Sequence, residues 1–404
     1  MLKLNLLTAL IFANTFIVCA ENHNRVYFNI NPEDRRIVFH IQLNDSITAN
    51  ISFDSGAELG CLILDSTFCA IHPNITMNSL LDIKTLAGSA WSSDNAPALI
   101  HKKATKIKIG NTDLKYDYMK IYNWKNYMKT SSDGLFNLPA NDTTNVWEFN
   151  FENSYLEIHQ AADFKMPENC FVVPIVKELN NPYPFNIQLP IKVKCADGDT
   201  TTLNRTFMID TGISHDITLM YKADKLPFFS KKSDAIWTKI MGSYCRHYTV
   251  DATLINHFAL DSLRIYTYNY PNKVNCDYLI GLNFLKRFNV FIDMRNRQVG
   301  LQQIKNFQRA VNLKYRRFYF STNKTSKGNY LVNFIADYKG NYYKTAGLQV
   351  GDEIVTVNGT PYKKITYQEE KEFYKQDTLV FDIIRKGISL KIIVQVGKNE
   401  IQGD

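Results

Sequence analysis

The chain has 404 residues, 45% of them hydrophobic and 21% charged, which excludes a disordered or collagen-like polymer and leaves room for two or three domains of roughly 150 residues. The net charge of +8, from 47 basic and 39 acidic residues, is spread over short pairs such as Lys102-Lys103, Arg316-Arg317 and Lys363-Lys364. It excludes a nucleic-acid-binding tail and names no partner. In chain order, the first element is an apolar leader. Lys3 gives a positive start, Leu4 to Val18 an apolar stretch, and Val18-Cys19-Ala20 a place to cut. The stretch is short for a bilayer span and carries Asn5, Thr8, Asn14 and Thr15. A cleaved export signal is therefore expected over 1–20, with a lipid anchor through Cys19 disfavoured by the bulky Val18. The expected product is exported (periplasmic, secreted or at the cell surface), monomeric and without an integral membrane segment.

Export permits disulfides. Cys61, Cys69, Cys170, Cys195, Cys245 and Cys276 follow the leader. A Cys61–Cys69 bridge closing a small loop and a set of buried thiols are equal alternatives at this stage. No C-x-x-C pair occurs, which argues against a zinc ribbon or a thioredoxin-like site.

Two segments then repeat a pattern. Ile51-Ser52-Phe53-Asp54-Ser55-Gly56 follows the strand-like IVFHIQL, and Phe207-Met208-Ile209-Asp210-Thr211-Gly212 follows IQLPIKV. A single Asp-Ser/Thr-Gly is an ordinary turn, because Asp caps its own backbone and Gly takes positive φ. Here the downstream parts repeat as well. Gly134-Leu135-Phe136-Asn137-Leu138 matches Tyr278-Leu279-Ile280-Gly281-Leu282, and Phe149–Ile158 matches Ile292–Leu301. The last two predict hairpins turning at Glu152-Asn153 and Arg295-Asn296. Two similar β lobes are the natural reading, and the high Tyr and Phe content suits them.

On these residues, about 30 to 305 resemble the pepsin-like and retropepsin-like aspartic proteases. The resemblance implies that Asp54 and Asp210 form a catalytic dyad sharing one proton, one as base and one as acid on a bound water. It implies that Gly56 and Gly212 allow the two loops to approach, and that the Ser55 and Thr211 hydroxyls bond across the lobes. The first lobe departs at Asn137, where the family has Gly; Asn tolerates positive φ next best, so the fold is expected to survive. Family members place flap hairpins near Leu86–Pro97 and Lys239–Tyr248, making Trp91 and Tyr244 candidate cleft residues. Glu58 is an unusual extra acid beyond Asp54. His215 is expected at the surface, and His247 and His257 are expected to be structural. No H-E-x-x-H or G-x-S-x-G motif occurs.

After Gln308 the pattern changes. Ala346–Gly359 reads as a helix end, a Gly-Asp turn, a strand and an Asn-Gly turn; Tyr367–Lys375 reads as a helix; and 379–396 reads as a hairpin. Residues 315–397 resemble a PDZ domain. The resemblance implies a peptide groove along Gly328, Asn329, Tyr330, Leu331 and Val332, where a ligand adds as a strand. The tail ending in Asp404 lacks the apolar terminus such a groove prefers.

The expectation is thus a mainly β, bilobal, double-β-barrel protease fold followed by a PDZ domain. Its boundaries are a signal over 1–20, lobes over 21–162 and 163–306, and the PDZ domain over 312–404. No metal and no organic cofactor are implied. The expected partners are a polypeptide substrate and a peptide or protein ligand of the PDZ domain. A non-catalytic peptide-binding protein is the alternative carried by the same residues.

Overall fold

Alternation of apolar and polar side chains dictates the long strands. In Ile37–Leu43, Ile37, Phe39, Ile41 and Leu43 are buried while His40 and Gln42 face solvent. In Asn186–Lys194, Ile187, Leu189, Ile191 and Val193 do the same work. The computed structural model describes residues 25–31, 35–76, 82–88, 95–101, 106–114, 116, 118–128, 130–139, 142–176, 185–194, 198, 200–221, 236–240, 243–254, 258–270, 278–305, 307, 320–326, 328–335, 342–366, 369, 372–373 and 376–395. The expected export signal, Trp91, His257 and most of the expected helix at 367–375 lie outside the described residues.

The first repeat contains β1 (Arg25–Ile30), β2 (Ile37–Leu43), β3 (Ile47–Phe53), β4 (Cys61–Asp65), β5 (Asp82–Gly88), β6 (Asn95–His101), β7 (Ile107–Ile109), β8 (Thr112–Leu114), β9 (Tyr118–Tyr122), β10 (Gly134–Phe136), β11 (Asn145–Asn150) and β12 (Tyr155–Gln160). The second contains β13 (Cys170–Pro174), β14 (Asn186–Lys194), β15 (Thr200–Asp210), β16 (Ile217–Tyr221), β17 (Ile236–Ile240), β18 (Ser243–Leu254), β19 (Ala259–Tyr270), β20 (Tyr278–Gly281), β21 (Phe288–Asp293) and β22 (Gln298–Gln303).

Strand order repeats element for element. It runs β2-β3-β10-β4-β9-β6-β5 in the first repeat and β14-β15-β20-β16-β19-β18-β17 in the second. In each, the strand leading to the aspartate lies parallel to the short apolar strand that returns beside it, β3 with β10 and β15 with β20. The hairpins expected at Glu152-Asn153 and Arg295-Asn296 are present, and each turn closes on a residue with positive φ, Ser154 at 56° and Arg297 at 51°.

Between the repeats runs the order β13-β22-β21-β11-β12-β1. β11 and β21 are antiparallel, with Glu148 opposite Phe291. Each stands two residues before the end of its own strand, so each faces its counterpart and a pseudo-two-fold axis passes through this pair. Glu148 is buried and accepts hydrogen bonds from Asn150 Nδ2 at 3.0 Å and the Tyr155 hydroxyl at 3.1 Å, with His159 Nε2 at 2.8 Å. One apolar core, including Phe53, Phe149, Phe207 and Phe284, runs through both repeats.

The third module has a core of its own, with Tyr343, Val357, Phe381 and Val394 fully buried. Its strands are β23 (Phe320–Lys324), β24 (Tyr330–Ile335), β25 (Glu353–Val357), β26 (Thr360–Pro361), β27 (Thr378–Arg385) and β28 (Ile388–Gln395). The Gly-Asp and Asn-Gly turns are where the sequence puts them: Gly351 has φ 94°, Asn358 49° and Gly359 78°. Buried Asp352 locks the first turn by accepting from Gln349 N at 2.8 Å and from Arg385 Nε at 2.7 Å. The order β23-β24-β25-β27-β28 corrects the expected peptide groove. Tyr330 of β24 pairs with Lys324 on one side and with Ile354 on the other, so no strand can be added along Gly328–Val332. Among the described strands the open edges of this sheet are β23 and β28. Among the described residues no helix is long and apolar enough to cross a membrane.

Candidate functional site

β3 ends at Phe53 and β15 at Asp210, so Asp54 and Asp210 occupy the same place in the two repeats. The Asp54 amide donates to Phe136 O of β10 at 3.1 Å, which carries the parallel pairing one residue past the strand. Each carboxylate then receives an N–H from its own turn, Gly56 N to Asp54 Oδ1 at 2.8 Å and Gly212 N to Asp210 Oδ1 at 2.9 Å.

The loops are locked to each other by a reciprocal pair of hydroxyls. Ser55 N donates to Thr211 Oγ1 at 2.9 Å, and Thr211 N donates to Ser55 Oγ at 3.0 Å. In return the Ser55 hydroxyl donates to Ile209 O at 2.9 Å and the Thr211 hydroxyl to Phe53 O at 3.3 Å. Each hydroxyl thus clasps the residue just before the opposite aspartate. Both are buried, where a hydrogen bond left unmade is costly. The glycines make room: a Cβ on Gly56 would lie 2.5 Å from Asp210 Cγ, and one on Gly212 would lie 2.6 Å from Asp54 Cγ.

The two carboxyl groups hydrogen-bond each other. Burial raises Asp210 well above the usual carboxylate range, and the charge of Asp54 adds to the rise. Burial also raises Asp54, but the Arg36 charge and the Gly56 and Gly212 N–H groups oppose it. The two groups titrate as a coupled pair, with the upward push stronger on Asp210 than on Asp54.

The two halves brace their loops differently. Asn137 donates from Nδ2 to Ala57 O at 2.6 Å and to Ser55 O at 3.4 Å, and its Oδ1 accepts from Leu138 N at 2.7 Å. At the matching position of the second repeat, Gly281 has φ −97°, and a Cβ there would lie 2.7 Å from Ile213 O. The expectation that Asn137 has to tolerate positive φ is corrected: its backbone is not in that region, and the glycine at 281 answers to backbone crowding.

Arg36 is a site residue that motif reading misses. The antiparallel β2–β3 register pairs Ile37 with Phe53, and one more step sets Arg36 opposite Asp54. It is buried, and its guanidinium lies 5.5 Å from the centre of the buried Trp124 ring. The available signal was an arginine placed just before the alternating strand that pairs with the aspartate strand.

The other sequence candidates fall as follows. Glu58 turns away to an ion pair with Lys120 at 2.9 Å. His215 is corrected from the surface to a half-buried position, stacked on Tyr266 at 3.8 Å with Nδ1 2.9 Å from Thr218 Oγ1. Antiparallel hairpins stand at both expected flap positions, β5–β6 and β17–β18, the second pairing Tyr244 with Lys239; the Tyr244 side chain lies outside the described residues. The Cys61–Cys69 bridge is also corrected. Cys69 is a free thiol packed in the core, and burial, aided by the Asp65 charge, pushes it up to about 12. β4 runs straight from Cys61 to Asp65, a span of roughly 13 Å that carries the chain away before Cys69 is reached.

No family model matches the chain, and no curated protein matches it. Among solved structures it is similar to an aspartic proteinase from Irpex lacteus at 12% identity and a TM-score of 0.45, over 70% of this chain and 97% of that one.

Proposed function

We propose that the chain is an aspartic-type endopeptidase in which Asp54 and Asp210 activate water against a peptide bond. The observation that carries this reading is the reciprocal Ser55–Thr211 clasp, which holds a half-buried carboxyl, Asp54, and a buried one, Asp210, in hydrogen-bonding contact. Such a pair is poised for general acid–base work on a neutral substrate. Ionised Asp54 takes a proton from a water lying between the carboxyls, and the resulting hydroxide adds to the scissile carbonyl carbon. Asp210 gives its proton to the carbonyl oxygen, forming a neutral gem-diol. Collapse returns a diol proton to Asp210, and the proton now on Asp54 passes to the leaving nitrogen as the C–N bond breaks. Both carboxyls regain their starting states. The hairpins β5–β6 and β17–β18 suit the role of cleft covers on the two sides.

The leader Met1–Ala20 supports export of the enzyme, checked by N-terminal sequencing of the protein from its producing cell. The third module suits peptide recruitment of the PDZ type, with β23 rather than β24 as the edge that receives a strand. The decisive experiment is mass-spectrometric readout of a peptide library across acidic pH. The parent is expected to cleave and Asp54→Asn and Asp210→Asn to be silent while still folded. Cleavage by either variant at the parent's rate would overturn the proposal. Deleting residues 312–404 is expected to leave short-peptide cleavage largely intact and to weaken turnover of a protein substrate.

A further inference from the structure

The dyad loops carry their own hydrogen-bond donors, and those donors are arranged alike in the two repeats. The charge around them is not. On the first repeat's side a buried arginine stands at the ladder position opposite Asp54; in the second repeat the sequence leading into β14, Asn181 to Phe185, carries no charged side chain. The guanidinium is held against the Trp124 ring, 5.5 Å from its centre, and that indole is fixed in turn by a hydrogen bond from Nε1 to Ser132 Oγ at 3.0 Å. An aromatic face holds a planar cation in place without neutralising its charge.

We infer that Arg36 is a positioning residue of the dyad, a fixed cation that sets the pH range in which the Asp54–Asp210 pair carries its single negative charge.

Among the described residues, the charged groups around Arg36 and its Trp124 platform include the dyad, buried Asp65, whose Oδ2 accepts from Lys125 N at 2.9 Å, and two ion pairs. Asp54 follows β3, and Asp210 closes β15 across the lobe boundary. Lys125 and Asp133, next to Trp124 and Ser132, are closed on each other at 2.7 Å. Glu58, four residues beyond Asp54, is closed on Lys120. The Arg36 charge acts on both dyad carboxyls, in each case opposing the upward push of burial. A cation favours every ionised state of the pair, so it lowers the pH at which the pair loses its first proton and the pH at which it loses its second. The active, singly ionised form is therefore moved as a whole toward lower pH.

The inference rests on the dyad reading above, and the test separates the two. Arg36→Lys and Arg36→Met are compared with the parent by the pH dependence of kcat/KM. The carboxyl titration of the full chain is followed independently by 13C NMR with Asp labelled at Cγ, the signals assigned from Asp54→Asn and Asp210→Asn. In Arg36→Met both limbs of the bell are expected to move to higher pH, with kcat/KM falling about tenfold at a fixed pH on the acidic limb and rising on the alkaline one. The dyad signals are expected to move the same way. Arg36→Lys is expected to stay close to the parent. If the parent hydrolyses nothing, the protease reading fails while the NMR titration still decides the role of Arg36. A Met variant whose activity drops evenly at all pH values, with the dyad titration unmoved, overturns the inference. If the Met variant does not fold, Arg36→Gln serves in its place, since it also removes the charge but keeps polar contact with the site.

Discussion

The two repeats reach the same carboxyl geometry by different local means. In the first, an amide side chain, Asn137, ties the aspartate loop to the returning strand through Ala57 O and Ser55 O. In the second, Gly281 brings the backbones themselves together, with Gly281 N donating to Asp216 O at 2.9 Å and Leu282 N to Ile213 O at 2.8 Å. What is held constant is the placement of the carboxyls and the mutual clasp; the brace behind each loop is free to vary. The comparison also separates two uses of glycine. Gly56 and Gly212 clear space for the opposite carboxyl, whereas Gly281 clears space for its own repeat's backbone.

The largest effect that probes this comparison is chemical. Asp54→Asn and Asp210→Asn are each expected to lower peptide hydrolysis by roughly 10³–10⁴-fold, measured as kcat/KM, because either repeat alone supplies only half of the acid–base pair. A difference in stability accompanies the loss. Burial raises the folded-state pKa of Asp210, so its contribution to stability is complete below the ordinary carboxyl pKa and is lost as pH rises through the raised value. Asp210→Asn is expected to raise the melting temperature at neutral pH and leave it unchanged in strong acid. An equal rise at all pH values would break the assignment of the buried proton.

Next come the braces. Gly281→Ala forces a methyl group against Ile213 O and is expected to cost about 3 kcal/mol in a denaturant titration. Asn137→Ala leaves Ala57 O and Leu138 N without their partner and is expected to cost about 2 kcal/mol. A larger cost for Asn137→Ala than for Gly281→Ala would reverse the account of which brace is the tighter. The clasp offers a symmetric control. Ser55→Ala and Thr211→Val each remove one hydroxyl that both accepts and donates, and are expected to cost similar amounts, about 1–2 kcal/mol each. Far less than the sum is expected for the double variant, because the two hydroxyls share one network.

The smallest effect concerns Cys69. Alkylation after unfolding without reductant is expected to label it fully, and Cys69→Ala to shift the melting temperature by only a degree or two. Protection from labelling would revive a disulfide.

Much of this was legible in the sequence because it depends on short-range signals. The two Asp-Ser/Thr-Gly turns, the hairpins with their four-residue loops, and the Gly351-Asp352 and Asn358-Gly359 turns all declare themselves within a few residues. What stayed hidden depends on register between distant strands. Arg36 reaches Asp54 only because Ile37 faces Phe53 across a ladder. The strand order of the third module, which puts β24 inside the sheet, is likewise invisible in the string Lys-Gly-Asn-Tyr. His215 looked exposed because nothing local announces its stacking partner Tyr266, which lies beyond a whole hairpin.

The pseudo-two-fold axis through Glu148 and Phe291 bears on how the two halves choose each other. Two copies of one repeat, docked through the same strand by the same symmetry, would set identical residues face to face at the axis. Two first repeats would confront Glu148 with Glu148, a like-charge pair on the axis itself and unfavourable in an antiparallel ladder. The tethered pair sets an acid, already held by Asn150, Tyr155 and His159, against an aromatic ring instead. The seam therefore favours the unlike neighbour on the same chain over a second copy of the first repeat.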